Sequence, residues 1–74
     1  MDPFVIQQYL AQAEQHAAAA SRLVARQEAL VRQLERDGHD TSDAFKVLAT
    51  LRDTQALHEQ AVVRLQEELG VARR

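Results

Sequence analysis

Apolar residues recur along this chain at alternating intervals of four and three positions, in two separate runs. The first run is Ile6, Leu10, Ala13, Ala17, Ala20, Val24, Gln27, Val31 and Leu34. The second run is Ala44, Leu48, Leu51, Gln55, His58, Val62, Leu65 and Leu69. Sustained spacing of this kind is typical of helices that pack as in a left-handed coiled coil. The pattern therefore predicts an all-α fold of two long amphipathic helices.

Residues that favour helix starts and ends set the limits of the first helix. Asp2 and Pro3 form a typical helix start, because Asp caps free N–H groups and Pro is tolerated at the first helical position. Gly38 can adopt the left-handed conformation that closes a helix. We expect one domain, with helix one at about 3–37 and a turn at 38–41. So short a turn makes the helices antiparallel neighbours.

The second helix is predicted to start beside Asp40 or Thr41, either of which can serve as its N-cap. Its predicted range is about 42–69, with Gly70 as the stop signal and a frayed tail at 70–74. Folding the chain about the turn places Ala20 opposite His58, and places His16 opposite Ala61 and Val62.

The apolar rows are wider than the seam of a two-stranded coiled coil. Tyr9, His16, Leu23 and Leu30 widen the first row, and Val47 and Ala61 widen the second. Ordering a residue on folding costs about 1.5 kcal/mol of conformational free energy, which apolar burial has to offset. Two helices alone leave each core side chain partly exposed to water. We therefore predict a homodimer of hairpins that forms a four-helix bundle.

A weaker apolar stripe follows another side of the second helix. It consists of Phe45, Ala49, Ala56 and Val63, with Ala18, Ala25 and Ala29 on the first helix. One interpretation is ordinary surface alanine with one Phe against the turn. The other is a further contact face, for a tetramer or a partner helix.

Polar residues interrupt the apolar rows at Gln27, Gln55, His16 and His58. A polar residue in a helical seam commonly fixes register and partner choice, which is the favoured interpretation here. A metal site and a pH-sensitive contact are the alternatives. The spacing around His16 and His58 does not match the Glu-x-x-His pattern of helical metal sites, so no metal and no cofactor are predicted.

Arg22, Arg26, Arg32 and Arg36 follow the outer side of the first helix. A solvated face, with Glu28 and Arg32 as a favourable i,i+4 pair, is the simpler interpretation. The alternative is a small dimeric regulator that binds nucleic acid through these arginines. The net charge of −2 and the lack of aromatic residues between the arginines count against it.

Composition narrows the function classes further. The chain has no Cys, no apolar run of membrane-spanning length and only a short apolar stretch after Asp2, so we expect a cytoplasmic protein without a membrane partner. It has no catalytic triad spacing, phosphate loop or zinc motif. A two-helix hairpin also offers no pocket for a small-molecule substrate. An enzyme is therefore not expected, and a self-associating interaction or regulatory module is.

The turn carries a distinctive segment, LERDGHDT at 34–41. Together with Ala25-Arg26-Gln27, Leu48-Ala49-Thr50, Gln55-Ala56-Leu57-His58 and the earlier Ala13-Glu14-Gln15-His16, it resembles a group of short uncharacterised proteobacterial proteins. The resemblance covers about 13–69 and implies a bacterial origin, with no activity or site to carry over. The run Ala17 to Ala20 departs from the more polar residues of that group, which implies a closer approach of the helices here.

Overall fold

The structure is a computed structural model that describes residues 2–74. In that range the chain forms two α-helices, α1 (Pro3–Arg36) and α2 (Ser42–Ala72), which pack side by side in opposite directions. Its Cα atoms extend over 56 × 14 × 13 Å. The predicted all-α hairpin is confirmed. Neither helix, as far as it is described, has a stretch apolar enough to cross a membrane.

The start of α1 is held by its own first residues. The Asp2 carboxylate accepts a hydrogen bond from the Phe4 N–H at 2.7 Å, and Pro3 occupies the first helical position. This bond satisfies one of the N–H groups that every helix start leaves without a partner in the helix.

The turn between the helices closes α1 through Gly38. Gly38 has φ +73°, a left-handed conformation that costs glycine little because it has no Cβ. The His39 N–H donates to the Leu34 carbonyl at 2.9 Å, and the Gly38 N–H donates to the Glu35 carbonyl at 3.2 Å. These two bonds form a Schellman motif, which satisfies carbonyl groups at the end of α1.

Asp40 prepares the start of α2. Its carboxylate accepts hydrogen bonds from the Ser42 N–H at 2.9 Å and from the Ser42 hydroxyl at 2.7 Å. The backbone bond first, and the hydroxyl bond second, hold the pKa of the Asp40 carboxyl below its usual value of 3.8. Thr41 occupies the N-cap position but makes no capping hydrogen bond with its side chain.

The end of α2 differs from the prediction. The helix passes through Gly70 and ends at Ala72, with Arg73 as the C-cap. The prediction that α2 stops at Gly70 is therefore wrong. A glycine inside a helix costs about 1 kcal/mol relative to alanine, and that cost alone does not end a helix that other residues extend.

The core lies along the contact between the helices. Its buried apolar residues are Ile6, Ala13, Ala20, Val24, Val31, Leu48 and Leu69. Toward the turn, Ala44 and Leu51 pack against the buried cluster of Val24, Val31 and Leu48. The other predicted core positions are half-buried: Leu10, Ala17, Gln27, Leu34, Leu51, Gln55, His58, Val62 and Leu65.

Candidate interaction surface

One side of the hairpin carries an apolar flank beside the core. On α1 it consists of Tyr9, His16, Leu23 and Leu30, and on α2 of Val47, Thr54 and Ala61. The next position of this edge on α2 is the charged residue Glu68, which is exposed. Each of these residues follows a core position by three, which at 100° per residue places all of them on the same edge of their helix. The four large apolar members, Tyr9, Leu23, Leu30 and Val47, are 45–49% exposed. A single hairpin therefore leaves a row of large apolar side chains half in water.

The opposite side carries a polar flank, made of residues that follow by one the same set of core positions that the apolar flank follows by three. It consists of Glu14, Ser21, Glu28 and Glu35 on α1, and of Arg52, Glu59 and Gln66 on α2, with Phe45 near the turn. The residues that follow the alternate set of core positions by one include Ala49, Ala56 and Val63 of the weaker stripe. Arg52 donates to the Glu28 carboxylate at 3.2 Å across the two helices. Both side chains are more than a third exposed, so this ion pair adds little stability. It does mark this side of the hairpin as a solvated one.

The structure changes the expected partner of Glu28. The sequence pairs it with Arg32 along α1, whereas the structure pairs it with Arg52 on α2. Glu28 and Arg52 each follow a core position by one, so they occupy the same edge of the contact between antiparallel helices. That shared position is the signal in the sequence that could have predicted the pair.

The two histidines of the core rows meet at the apolar flank. The ring centroids of His16 and His58 lie 5.5 Å apart, with 55° between the ring planes. His58 is half-buried and His16 is exposed. The sequence register placed His16 opposite Ala61 and Val62, so the contact between the two rings is a finding of the structure. The long side chain of His16 reaches His58 across the short Ala20.

A shallow depression of about 220 Å³ lies beside these rings. Its lining consists of His16, Ala19, Ala20, Leu23, Thr54 and His58. It therefore contains both Ala20 and His58, which the sequence places opposite each other. The depression exists because Ala19 and Ala20 leave little bulk between larger neighbours.

Gln27 connects the helices near the turn. Its side-chain amide donates to the Ala44 carbonyl at 2.9 Å, in the first turn of α2. The sequence places Gln27 near Leu51 but does not predict this bond. A directional bond at a half-buried position favours one register of the hairpin, which fits the role in register predicted for polar residues in the rows.

The remaining candidate residues lie on the outside. Phe45, Ala49, Ala56 and Val63 of the weaker stripe are exposed, and so are Arg22, Arg26, Arg32 and Arg36. Arg36 donates to the Gln33 side chain at 2.6 Å. Arg32 and Phe45 line a shallow depression of about 180 Å³ together with Glu28, Val31, Glu35, Leu48 and Arg52. The other arginines and the other members of the stripe line neither this depression nor the one beside the histidine rings.

Residues 2–74 contain no group of three or more His, Cys, Asp or Glu side chains that could hold a metal ion within one hairpin. Comparison of the chain with protein-family models, with curated proteins and with solved structures finds no match. The resemblance of the turn segment to proteobacterial proteins stays a prediction.

Proposed function

We propose that this protein is a non-enzymatic interaction module that works as a homodimer, with two hairpins packed through their apolar flanks into a four-helix bundle. The main observation behind the proposal is the difference between the two sides of the hairpin. One side leaves Tyr9, Leu23 and Leu30 of α1 and Val47 of α2 about half-exposed, and the other carries charged residues and an ion pair, with Phe45 as its one large apolar member. A row of large apolar side chains along one side of a hairpin is typical of an interface.

A second copy of the chain suits this surface, because it has the same length and carries the same apolar flank. The Cα atoms of each hairpin extend over 56 Å along the helices. The apolar flank lies directly beside the core, so a second copy packed on it would also bury the solvent-exposed part of the half-buried core side chains. The same step would supply the apolar burial that a lone helix pair lacks.

Two valines on α2 provide a matched test. Val47 is 49% exposed on the apolar flank, and Val63 is 52% exposed on the weaker stripe. They are 16 positions apart in the sequence, which places them about 160° apart around the helix. Val47→Glu would bury an unpaired carboxylate in the proposed interface, so we expect it to weaken dimerisation by at least ~100-fold. Val63→Glu should leave the dimer unchanged.

Sedimentation equilibrium of the two variants and the unaltered chain, at one pH and salt concentration, measures both effects. Circular dichroism checks that each variant remains helical. If Val63→Glu dissociates the dimer and Val47→Glu does not, the contact lies on the stripe of Phe45, Ala49, Ala56 and Val63 instead. If neither variant changes the mass of a dimer, the apolar flank is not its interface.

A further inference from the structure

The contact between His16 and His58 has the dimensions of a metal-binding pair. With Zn–N bonds of about 2.1 Å at a tetrahedral angle, the centroids of two imidazole ligands lie roughly 5 Å apart. The rings here lie 5.5 Å apart, so small rotations about their side-chain bonds would aim one nitrogen of each at a common point. In the described part of the chain neither ring hydrogen-bonds to another side chain, which leaves their nitrogens available.

One hairpin alone gives an incomplete site. The depression beside the rings contributes alkyl groups from Ala19, Ala20 and Leu23 and the hydroxyl of Thr54. The Thr54 hydroxyl donates to the Thr50 carbonyl at 3.1 Å, as in an ordinary helix. Two imidazoles are half of the four ligands that a closed zinc site uses, so the remaining ligands have to come from elsewhere.

The shape of the apolar flank indicates how a second copy would sit. The members on α1 are mostly large (Tyr9, His16, Leu23, Leu30), and those on α2 are smaller (Val47, Thr54, Ala61) up to the level of Glu68 near the end of the helix. Helices keep an even separation when large side chains face small ones. That requires α1 of each copy to lie over α2 of the other. In a symmetric dimer the two-fold axis then runs along the length of the bundle, and both turns lie at the same end.

This orientation brings four imidazoles to one level. A rotation about the long axis leaves each residue at its own height, so His16 and His58 of one copy meet His16 and His58 of the second copy. We infer that these four side chains form a site for one divalent transition metal ion of the zinc type, shared between two hairpins. The inference rests on the proposed dimer. It assigns to His16 and His58 a ligand role beyond fixing the register.

Calorimetric titration of the full chain with Zn²⁺, after treatment with EDTA and removal of the chelator, tests the site. We expect one Zn²⁺ per two chains. His16→Gln and His58→Gln should each reduce the affinity at least ~10-fold, because each removes two of the four ligands from the dimer. His39→Gln is the matched control, since His39 lies exposed in the turn, and it should bind as the unaltered chain does. Gln keeps a polar side chain of similar reach, and circular dichroism checks that the variants fold.

Other results of the titration overturn the shared site. These are one Zn²⁺ per chain, no saturable binding, or equal losses in all three variants. The mass of the dimer is measured separately, in EDTA. If the metal-free protein is a dimer but binds no Zn²⁺, only the shared metal site is refuted. If the metal-free protein is a monomer, the proposed function is refuted, whatever the titration shows.

The orientation has its own test. The described chain has no Cys, so His39→Cys places one nitroxide label at each turn. Turns at the same end of the bundle give a label-to-label distance far below the 56 Å length of the hairpin. A distance near that length means that the hairpins run in opposite directions, which separates the two histidine pairs and overturns the four-imidazole site.

Discussion

The two glycines of the chain should respond to alanine in opposite directions. Gly38 has φ +73°, and a Cβ added there meets no atom within 4 Å. The cost of Gly38→Ala is therefore the cost of the backbone conformation alone, which is about 1–2 kcal/mol for a residue with a Cβ. We expect the free energy of unfolding to fall by that amount. For a domain of this size, each 1 kcal/mol lowers the melting temperature by about 4–8 °C.

Gly70 is the matched control. It lies inside α2, and a Cβ added there also meets no atom within 4 Å. Alanine should raise the free energy of unfolding by about 0.5–1 kcal/mol, because it restricts the unfolded chain and favours the helix. The two substitutions are chemically identical and equally free of steric contact, so only the backbone conformation gives them opposite signs.

Thermal and urea unfolding followed by circular dichroism measure both effects. The protein concentration has to be the same in every experiment, because dimerisation makes the melting temperature depend on it. Gly38→Asn should be less damaging than Gly38→Ala, since Asn tolerates the left-handed conformation better. Unchanged or increased stability in Gly38→Ala would refute the turn described here. A loss of stability in Gly70→Ala would refute the continuation of α2 through Gly70.

Two further predictions concern the core and the start of α2. Leu48 is 3% exposed and Leu57 is 65% exposed. In urea titrations Leu48→Ala should lower the free energy of unfolding by about 2–5 kcal/mol, whereas Leu57→Ala should change it by less than about 0.5 kcal/mol. Equal losses in the two variants would contradict the described core. Hydrogen bonds from Ser42 lower the pKa of the Asp40 carboxyl in the folded chain below 3.8. The carboxylate therefore stabilises the fold fully at pH values above the pKa of the unfolded chain, and this stabilisation is lost as the pH falls through the lower pKa of the folded chain. Asp40→Ala should therefore lower the melting temperature at pH 7 and lower it less at pH 3, and an equal decrease at both pH values would exclude this role of the carboxylate.

Local signals predict most of this fold. The spacing of apolar residues gives two helices because burying one edge of a helix requires that spacing. Asp2 and Asp40 mark helix starts through carboxylates that accept backbone N–H groups, and Pro3 and Gly38 mark a start and an end through their backbone preferences. All four act at the predicted ends. The helix end predicted at Gly70 is wrong because a glycine ends a helix only where the chain also leaves the helical conformation. In the structure the helix continues for two more residues, Val71 and Ala72.

Contacts between the helices are harder to predict from the sequence. Glu28 has a suitable partner four residues along α1, but the structure pairs it with Arg52 across the hairpin. The contact of His16 with His58 depends on the exact height of one helix beside the other and on the space above Ala20. Pairing the apolar rows about the turn predicts neither the relative height of the helices to within a helical turn nor the space above Ala20. The edges of the contact can be assigned from the sequence, whereas side-chain partners require coordinates.

The proposed dimer joins two hairpins through their apolar flanks, so the unaltered chain should have the mass of two copies in solution. Light scattering over a wide range of concentrations, in EDTA, measures that mass. We predict twice the chain mass of 8.3 kDa, falling toward a single chain only on strong dilution. A folded, helical protein that keeps a mass of 8.3 kDa at the highest concentration would rule out the dimer.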